Sequence, residues 1–321
     1  MNAASFSAVA ALSVIACTCA NAASAIAYPT KTVRMVVNAA PGGANDVLGR
    51  MVAKIMTDSL GQNVVVDNRA GAGGNVGAEI VAHAPPDGYT ILYCTSSVVV
   101  SQSLYTRLNY KLSELAPLTQ AASFPQVIAV HPSLPVANVK EMLALSRKTA
   151  GINYGSTGTG SMNHLTGVLL DSVAGTKNVH IGYKGAGPMM TALLSNEVPM
   201  GIGTVFSMAP HVKAGRLRAL AVSSLKPVPA LPGVPPLAAM FPGFETSLWH
   251  GYFTTAGTSS AVITLLNAEI AKALRSQQLA EAIENGGGIT IANSPQEFAA
   301  VIRQDAEKYA KLVKISGAKA E

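Results

Sequence analysis

The sequence predicts an α/β fold in which short, mostly parallel strands alternate with helices flanking the sheet. Two observations lead to this prediction. Short apolar runs rich in β-branched residues alternate along the chain with longer segments whose apolar residues recur at helical spacing. The loops that follow the apolar runs carry Gly, Ser and Thr. Because loops at the carboxyl ends of parallel strands form the binding side of such folds, functional residues are expected there.

The first predicted unit is a strand, a glycine turn and a helix. Residues 33–37 are apolar or β-branched except for Arg34, which is typical of a buried strand. Residues 41–44 break the strand, and Asn45 and Asp46 supply helix-capping side chains. Apolar residues at helical spacing follow, and Gly61 ends the helix. Such a turn presents backbone N–H groups at a helix start, which favours an anion.

The same patterns predict the remaining elements in order. Further strands are expected over residues 63–66, 89–93, 127–130, 152–154, 179–183 and 218–223. Helices are expected over residues 75–82, 139–148, 164–173, 188–194, 261–274 and 295–315. A capping box with Pro at the first helical position opens the last helix, and residues 225–244 are expected to form a Pro-rich loop.

The amino-terminal end predicts export. Residues 6–20 are apolar and uncharged, and A-x-A cleavage sites end at Ala22, Ala25 and Ala27, so residues 1–27 are predicted to be a signal peptide. A lipid anchor at Cys17 is the minor alternative, because residues 14–17 loosely resemble a lipoprotein cleavage box. After cleavage only Cys94 remains, which excludes an internal disulfide.

Composition and charge argue against a nucleic-acid-binding protein and against a membrane-spanning helix after the signal. The formal net charge is +6, but charged residues make up only 12% of the chain, and Lys and Arg occur singly rather than in a patch with aromatic residues. A nucleic-acid partner is therefore not expected. After the signal, no apolar run approaches the length of a membrane-spanning helix.

The sequence offers no catalytic residues, metal ligands or cofactor site that meet the requirements of a known chemistry. No G-x-S-x-G elbow and no H-E-x-x-H motif occurs, and the six His residues are scattered. The Gly-rich run over residues 71–77 has Val76 where a dinucleotide loop needs its third glycine. His164 follows a Ser/Thr loop, where a core or capping role is favoured over a catalytic one.

A binding site for an organic acid fits the loops better. Four loops at strand ends carry Gly or hydroxyl residues: residues 41–43, 95–97, 156–160 and 184–185. Hydrogen bonds to a charged group contribute about 1.5–3 kcal/mol each, so three or four supply most of the roughly 8 kcal/mol of a micromolar complex. An exported, hydrolase-like enzyme acting on a small anionic substrate stays open as the alternative.

Several motifs follow one another in order through the chain: residues 28–29, 41–46, 65–75, 84–90, 153–156, 183–185, 213–222, 231–235, 242–245 and 256–258, with Trp249. Together they resemble the Bug-type extracytoplasmic solute receptors of tripartite tricarboxylate transporters. The resemblance implies a two-lobed periplasmic-binding-protein fold (type II-like, a Venus flytrap) whose lobes close on one ligand. Lobe one would comprise residues 28–125 and 251–321, and lobe two residues 126–250.

The resemblance also implies the function. The protein would be a periplasmic monomer, not an enzyme, that captures a small carboxylate and delivers it to a two-subunit membrane permease or serves a sensor protein. The ligand-facing residues that the resemblance implies are Pro41, Gly42, Gly43, Asn45, Thr95 and Ser96 from lobe one, and Ser156, Thr157, Gly158, Thr159 and Tyr183 from lobe two. Lys184 is a further candidate for the distal charge of the ligand.

Two departures from the family pattern bear on the ligand. Residues 38–39 are Asn-Ala where relatives often carry a larger residue, and residues 202–204 are Ile-Gly-Thr where many have a Phe-Asp-Asn type run. Without that Asp, a ligand amino group loses a partner. We therefore expect a plain or aromatic carboxylate rather than an amino acid, an expectation that tight binding of aspartate or glutamate would contradict.

Overall fold

The computed structural model describes residues 28–42 and 44–320, and its strands form one curled sheet flanked by helices. The strands are β1 (Val33–Val37), β2 (Val64–Asn68), β3 (Thr90–Thr95), β4 (Leu115–Val130), β5 (Asn153–Ser156), β6 (Val179–Gly182), β7 (Met200–Thr204), β8 (Arg218–Val222), β9 (Ser247–Thr255) and β10 (Ile289–Thr290). The helices are α1 (Ala44–Leu60), α2 (Asn75–Ala82), α3 (Ser97–Leu104), α4 (Val139–Lys148), α5 (Met162–Ala174), α6 (Ala186–Leu194), α7 (Val205–Lys213), α8 (Ser260–Leu274), α9 (Gln277–Asn285) and α10 (Pro295–Ser316).

Two long strands join two groups of parallel strands. The strand order is β2-β1-β3-β9-β4-β7-β5-β6, with β8 and β10 also paired to β4. Parallel pairing occurs where β1 meets β2 and β3, and where β5 meets β6 and β7. Every pairing of β4 or β9 is antiparallel. The predicted α/β class is confirmed, and its parallel strands lie on either side of an antiparallel centre.

Strand β4 changes partners along its length. Its residues up to Pro125 pair with β9, whereas those from Gln126 onward pair with β7 and β8. The Ser223 hydroxyl accepts from the Gln126 N–H at 2.8 Å and donates to the Thr246 carbonyl at 2.5 Å, just before β9 begins. One serine thus connects the two places where the chain passes between the strand groups.

The core covers both faces of each strand group. In β1, Met35 and Val37 pack with α1 and α8, whereas Val36 packs on the other face with residues of α2 and α3. In β4, Ile128 and Val127 likewise belong to different clusters on opposite faces. This alternation follows the two-residue period of a strand, and helices on both faces are typical of parallel sheets.

Several elements are longer than the sequence pattern indicated, or were missed by it. The strand predicted over residues 127–130 is the end of the 16-residue β4, whose first part contains two Pro and several polar residues. No element was predicted for β7, α7, β9, α3 or α9. Gly251 interrupts the apolar pattern of β9, but a Cβ there would overlap Phe298, so the site requires glycine. The capping box at Ser294 and Glu297 is confirmed.

None of the helices in the described part of the chain is long and apolar enough to cross a membrane. Cys94 is buried and carries a free thiol. The predicted signal peptide, with Cys17 and the cleavage positions, lies outside the described residues.

Candidate functional site

A cavity of about 250 Å³ lies between the start of α3 and the loop that joins β5 to α5. Its wall therefore comes from both strand groups. Six hydroxyl-bearing side chains line it: Ser96, Ser97, Ser101, Thr157, Thr159 and Ser161. Apolar and aromatic side chains line it as well: Val100, Leu104, Tyr105, Met162 and Leu248. Among the described residues that line the cavity, none carries a formal charge.

The β3–α3 junction provides the first polar wall. The Ser96 N–H donates to the Trp249 carbonyl at 2.9 Å, which fixes the junction against β9. Ser96 is fully buried, and its Oγ has no hydrogen-bond partner within residues 28–42 and 44–320. Leaving a buried hydroxyl unpaired costs roughly 1–3 kcal/mol.

The β5–α5 loop provides the second polar wall. The Ser161 hydroxyl donates to the Gly158 carbonyl at 2.6 Å and also caps α5 by accepting from the His164 N–H. Gly160 has φ +75°, and a Cβ there would overlap Leu104, so glycine lets the loop approach α3. The loop is therefore held in one conformation with its backbone close to the cavity.

A chain of hydrogen bonds links this loop to the point where β4 changes partners. The Thr157 hydroxyl donates to Asn163 Oδ1 at 2.8 Å, and Asn163 Nδ2 donates to Gln126 Oε1 at 2.9 Å. Gln126 Nε2 in turn donates to the Phe124 carbonyl at 3.2 Å. Asn163 and Gln126 are both buried, so these bonds are shielded from water.

Two stacked histidines support the loop from behind. His164 Nδ1 accepts from the Gly160 N–H at 3.0 Å, and its ring lies 3.8 Å from that of His180. His180 Nε2 lies 2.6 Å from the Ser156 hydroxyl. Burial, with a smaller contribution from His180, lowers the pKa of His164 to about 4, and burial also lowers the pKa of His180. Both rings are therefore neutral near pH 7, and the structural role predicted for His164 is confirmed.

The start of each helix beside the cavity has a favourable field for an anion. Helices α3 and α5 begin at Ser97 and Met162, which both line the cavity, and neither helix has an acidic residue in its first turn. The N-terminal end of a helix carries a partial positive charge and unpaired N–H groups. Two such ends and a set of hydroxyl donors can hold a carboxylate without a cationic side chain.

The β1–α1 turn, which carried the first sequence signal, is arranged differently. The Gly42 N–H donates to Asp46 Oδ2 at 2.9 Å, and the other carboxylate oxygen accepts from Asn68 and Arg50, each at 2.9 Å. The bonds from Arg50 and Gly42 lower the pKa of Asp46 to about 2. The carboxylate of the chain itself thus occupies the start of α1.

The cavity collects four of the predicted ligand-facing residues: Ser96, Thr157, Gly158 and Thr159. The other predicted residues that the structure describes lie outside its wall. Pro41 and Gly42 belong to the β1–α1 turn and Asn45 to the first turn of α1, whereas Gly43 lies outside the described residues. The Thr95 hydroxyl bonds Ser97, and Ser156 is buried against His180. Tyr183 donates to Glu197 Oε1 at 3.0 Å, and Lys184 is exposed.

Several residues of the cavity wall were not predicted to face the ligand. Ser97 lies within the predicted loop 95–97 but was not named as ligand-facing, and Ser161 directly follows the predicted loop 156–160. Leu104, Tyr105 and Leu248 come from a helix end and a strand that the apolar pattern did not reveal. Within the described ranges, no group of three or more His, Cys, Asp or Glu side chains could hold a metal ion.

The two-lobed α/β fold and the polar cavity define a solute-binding receptor of the periplasmic-binding-protein class. The chain matches the model of the tripartite tricarboxylate transporter family receptor (TctC) over residues 48–318, and it belongs to that family. The predicted Bug-type resemblance is confirmed.

Relatives match over nearly their full length. The UPF0065 protein of the tcbD-tcbE intergenic region of Pseudomonas sp. (strain P51) is 37% identical, over 89% of this chain and 87% of the relative. Protein BugT of Bordetella pertussis is 34% identical, over 92% of each chain.

Solved structures agree with the fold. The periplasmic binding protein BugD is 32% identical with a TM-score of 0.74, covering 92% of this chain and 100% of that chain. Rpa4515 of R. palustris, solved with adipate, is 31% identical with a TM-score of 0.77, covering 91% and 99%. The chain therefore shares a receptor fold, in addition to sequence motifs, with periplasmic solute-binding proteins.

Proposed function

We propose that this protein is a periplasmic receptor that binds a small carboxylate in the cavity between α3 and the β5–α5 loop. It would then deliver the ligand to a two-subunit membrane permease. The observation that carries the proposal is the buried Ser96 hydroxyl, which has no partner within the described part of the chain and lines a cavity between two helix starts. Ser96 is fully buried, so a movement of the wall would be needed before a carboxylate oxygen could accept from its hydroxyl as well as from backbone N–H groups.

Because no residue of the described cavity lining carries a formal charge, the site is suited to reversible binding of an anion. Neutral donors that hydrogen-bond an anion contribute about 1.5–3 kcal/mol each, and a helix start adds roughly 0.3–1 kcal/mol. A few such contacts give micromolar affinity, which allows release to a partner. The adipate bound to Rpa4515, a relative of similar fold, supports a carboxylate as the ligand class.

Closure of two lobes would complete the site. We propose lobe one over residues 28–125 and 251–321 and lobe two over residues 126–250. The change of partners in β4 supports the first boundary, and the pairing of Ser247–His250 with lobe-one strands favours starting the return segment at β9. On closure, Pro41, Gly42, Gly43, Asn45, Thr95, Ser156 and Tyr183 would complete or support the wall, and Lys184 would remain at its edge.

The proposal also specifies where the protein acts, its oligomeric state and what it does to its ligand. The receptor would be exported by a cleaved signal peptide, act as a monomer and serve a permease or a sensor protein. It would bind its ligand unchanged, without cofactor or metal. The two histidines behind the β5–α5 loop, His164 and His180, hydrogen-bond the loop or the end of β5 and have lowered pKa values.

The proposal is tested by a thermal-shift screen of the protein against organic acids, amino acids and aromatic carboxylates. A ligand at 100 times its Kd stabilises the fold by about 2.7 kcal/mol, which is readily measured. Ser96→Ala is expected to weaken the binding of the best acid by about tenfold, because it removes one hydrogen bond to a charged group.

Ser103→Ala is the matched control, because Ser103 lies on the same helix, is exposed and does not line the cavity. Its affinity is expected to equal that of the parent protein. Absence of any saturable shift, or turnover of a screened ester or amide, would contradict the proposed function. Equal losses in the two variants would show that the ligand lies elsewhere.

A further inference from the structure

We propose that a basic surface, at the end of the strands β5, β6 and β7 away from the cavity, binds anionic phospholipid bilayers. The charge of the protein is unevenly distributed. Residues 126–250 carry nine Lys and Arg against four Asp and Glu, a net charge of +5. Residues 28–125 and 251–321 together carry fourteen against thirteen, a net charge of +1. Nearly all of the formal net charge of +6 therefore belongs to residues 126–250.

Bases that are separated in the sequence lie together at the amino ends of these strands. Arg147 and Lys148 end α4 just before β5, and Lys177 lies two residues before β6. Lys213 ends α7 just before β8, whose amino end lies at the same edge as that of β7, because both strands are antiparallel to β4. We call this surface the basic edge, and its members are Arg147, Lys148, Lys177, Lys213, Arg216 and Arg218.

Short contacts hold the segments of the basic edge together. The Arg147 guanidinium donates to the Ala174 carbonyl, at the end of α5, at 2.7 Å. A Cβ at Gly151 would overlap the Lys177 carbonyl, so glycine lets the chain before β5 and the loop before β6 approach each other. The ends of α4 and α5 and the loop that carries Lys177 are therefore fixed relative to one another.

The chain itself does not neutralise the basic edge. All six of its residues are exposed. The five ion pairs among the described residues lie within residues 28–125 and 251–321, and none includes a member of the basic edge. Three of the four acids of residues 126–250 instead accept hydrogen bonds from uncharged groups: Glu141, Asp171 and Glu197. The positive charge of this surface is thus available to an external anion.

An anionic bilayer fits the basic edge better than a folded partner does. The centres of protein interfaces are rich in aromatic residues and poor in Lys. Three of the six bases are Lys, and the exposed large apolar residues beside them are two valines. These are Val173, at the end of α5, and Val179, two residues after Lys177. Anionic headgroups attract clusters of Lys and Arg, and aliphatic side chains enter the headgroup region without needing a pocket.

Contact through the basic edge leaves the cavity uncovered. Strand β5 begins at the basic edge and ends at the loop that lines the cavity, so the two surfaces lie at opposite ends of the same strand. A protein held on a bilayer in this orientation keeps its cavity open to the solution.

Cosedimentation of the protein with large unilamellar vesicles tests the proposal. Vesicles of phosphatidylcholine are compared with vesicles in which phosphatidylglycerol replaces part of the lipid, in a buffer of about 0.05 M salt. We expect at least about tenfold tighter binding to the anionic vesicles. Raising the salt to about 0.5 M should abolish the difference, because exposed charges are then screened.

Two double variants locate the contact. Lys148→Glu with Lys177→Glu is expected to weaken binding to anionic vesicles at least about thirtyfold, because it reverses two charges of the basic edge. Lys54→Glu with Lys272→Glu is the matched control, since it changes the net charge equally at exposed positions of α1 and α8. Its affinity is expected to stay within about threefold of the parent protein.

A milder pair keeps the test decisive if the first variant fails to fold. Lys148→Gln with Lys177→Gln only removes the two charges, and it is expected to weaken binding about tenfold. Lys54→Gln with Lys272→Gln is its control.

Three outcomes would overturn the proposal, and none depends on the ligand of the cavity. Equal binding to neutral and anionic vesicles would show that the charge of the basic edge does not matter. Equal weakening by a test pair and its control would show that net charge, rather than this surface, determines binding. If the protein binds neither kind of vesicle, a lipid surface is rejected and an acidic protein becomes the partner to seek.

Discussion

The β1–α1 turn and the β3–α3 junction both lead from a central parallel strand into a helix, but only the first contains an acidic side chain. In the β1–α1 turn, Asp46 accepts from the Gly42 backbone and pairs with Arg50, so the start of α1 already has its anion. In the β3–α3 junction the first turn has no acid, and the Ser96 hydroxyl is left without a partner in the described residues. A helix start is therefore open to an external anion only where the chain supplies none itself.

A substitution that places a carboxylate at the start of α3 tests this comparison. Ser97→Asp places a carboxylate in the first turn of α3, beside the cavity, as Asp46 does in α1. We expect at least a hundredfold loss of carboxylate affinity, about 2.7 kcal/mol, because the two negative charges would compete for the same donors. Calorimetry with the best acid from the screen measures it.

Ser97→Asn is the matched control, since it has nearly the same shape without the charge. It is expected to retain affinity within about fivefold of the parent protein. Equal weakening by both variants would show that shape rather than charge excludes the ligand.

The reverse change removes the internal anion of the β1–α1 turn. Asp46→Asn is expected to destabilise the protein by about 1–3 kcal/mol, because the buried carboxylate accepts charge-assisted bonds that an amide cannot all replace. Urea unfolding measures the loss. Asp58→Asn, at an exposed position of the same helix, should change stability by less than about 0.5 kcal/mol, and similar values for the two variants would contradict the role of Asp46.

The β1–α1 turn and the β5–α5 loop should also respond to acid in different pH ranges. The pKa of His164 is lowered from 6.5 to about 4, so the unfolded chain binds a proton first. Stability is therefore expected to fall as pH drops from about 6.5 to about 4, by up to roughly 1.4 kcal/mol per pH unit for this group. The Asp46 contribution is lost only at lower pH, between 3.8 and about 2.

His164→Gln provides the check on this difference. Unfolding free energies measured from pH 7 to pH 4 should fall less steeply in this variant than in the parent protein. An unchanged slope would show that other groups, such as the buried His250, cause the acid sensitivity.

Much of the fold follows from local patterns in the sequence. The strand β1 and the helices α2 and α4 begin and end where the sequence pattern indicated, because each is a short element whose apolar residues are bounded by clear breaks. The length of β4 could not be predicted from its sequence. Its first part contains Pro117 and Pro125 and is nevertheless a strand, because tertiary contacts bury it on both sides. The β-strand propensities of its residues predict such a strand poorly, since its tertiary environment determines its structure.

The loops that line the candidate site could be predicted from the sequence, but the cavity that they form could not. Ser96 and Thr157–Thr159 came from loops with an anion-binding composition. Whether a loop is open to a ligand depends on partners distant in sequence, such as Asn68 for Asp46 or Trp249 for Ser96. The contribution of Leu248 to the cavity wall likewise arises only when β9 returns beside β3.

The hydrogen bonds from Thr157 through Asn163 to Gln126 give the receptor a mechanical property. The same side chains hold the binding loop and the strand position at which β4 passes from one group of strands to the other. If the two proposed lobes rotate about that position, the movement would reach the loop through these hydrogen bonds. We therefore expect the angle between the proposed lobes and the occupancy of the cavity to be coupled.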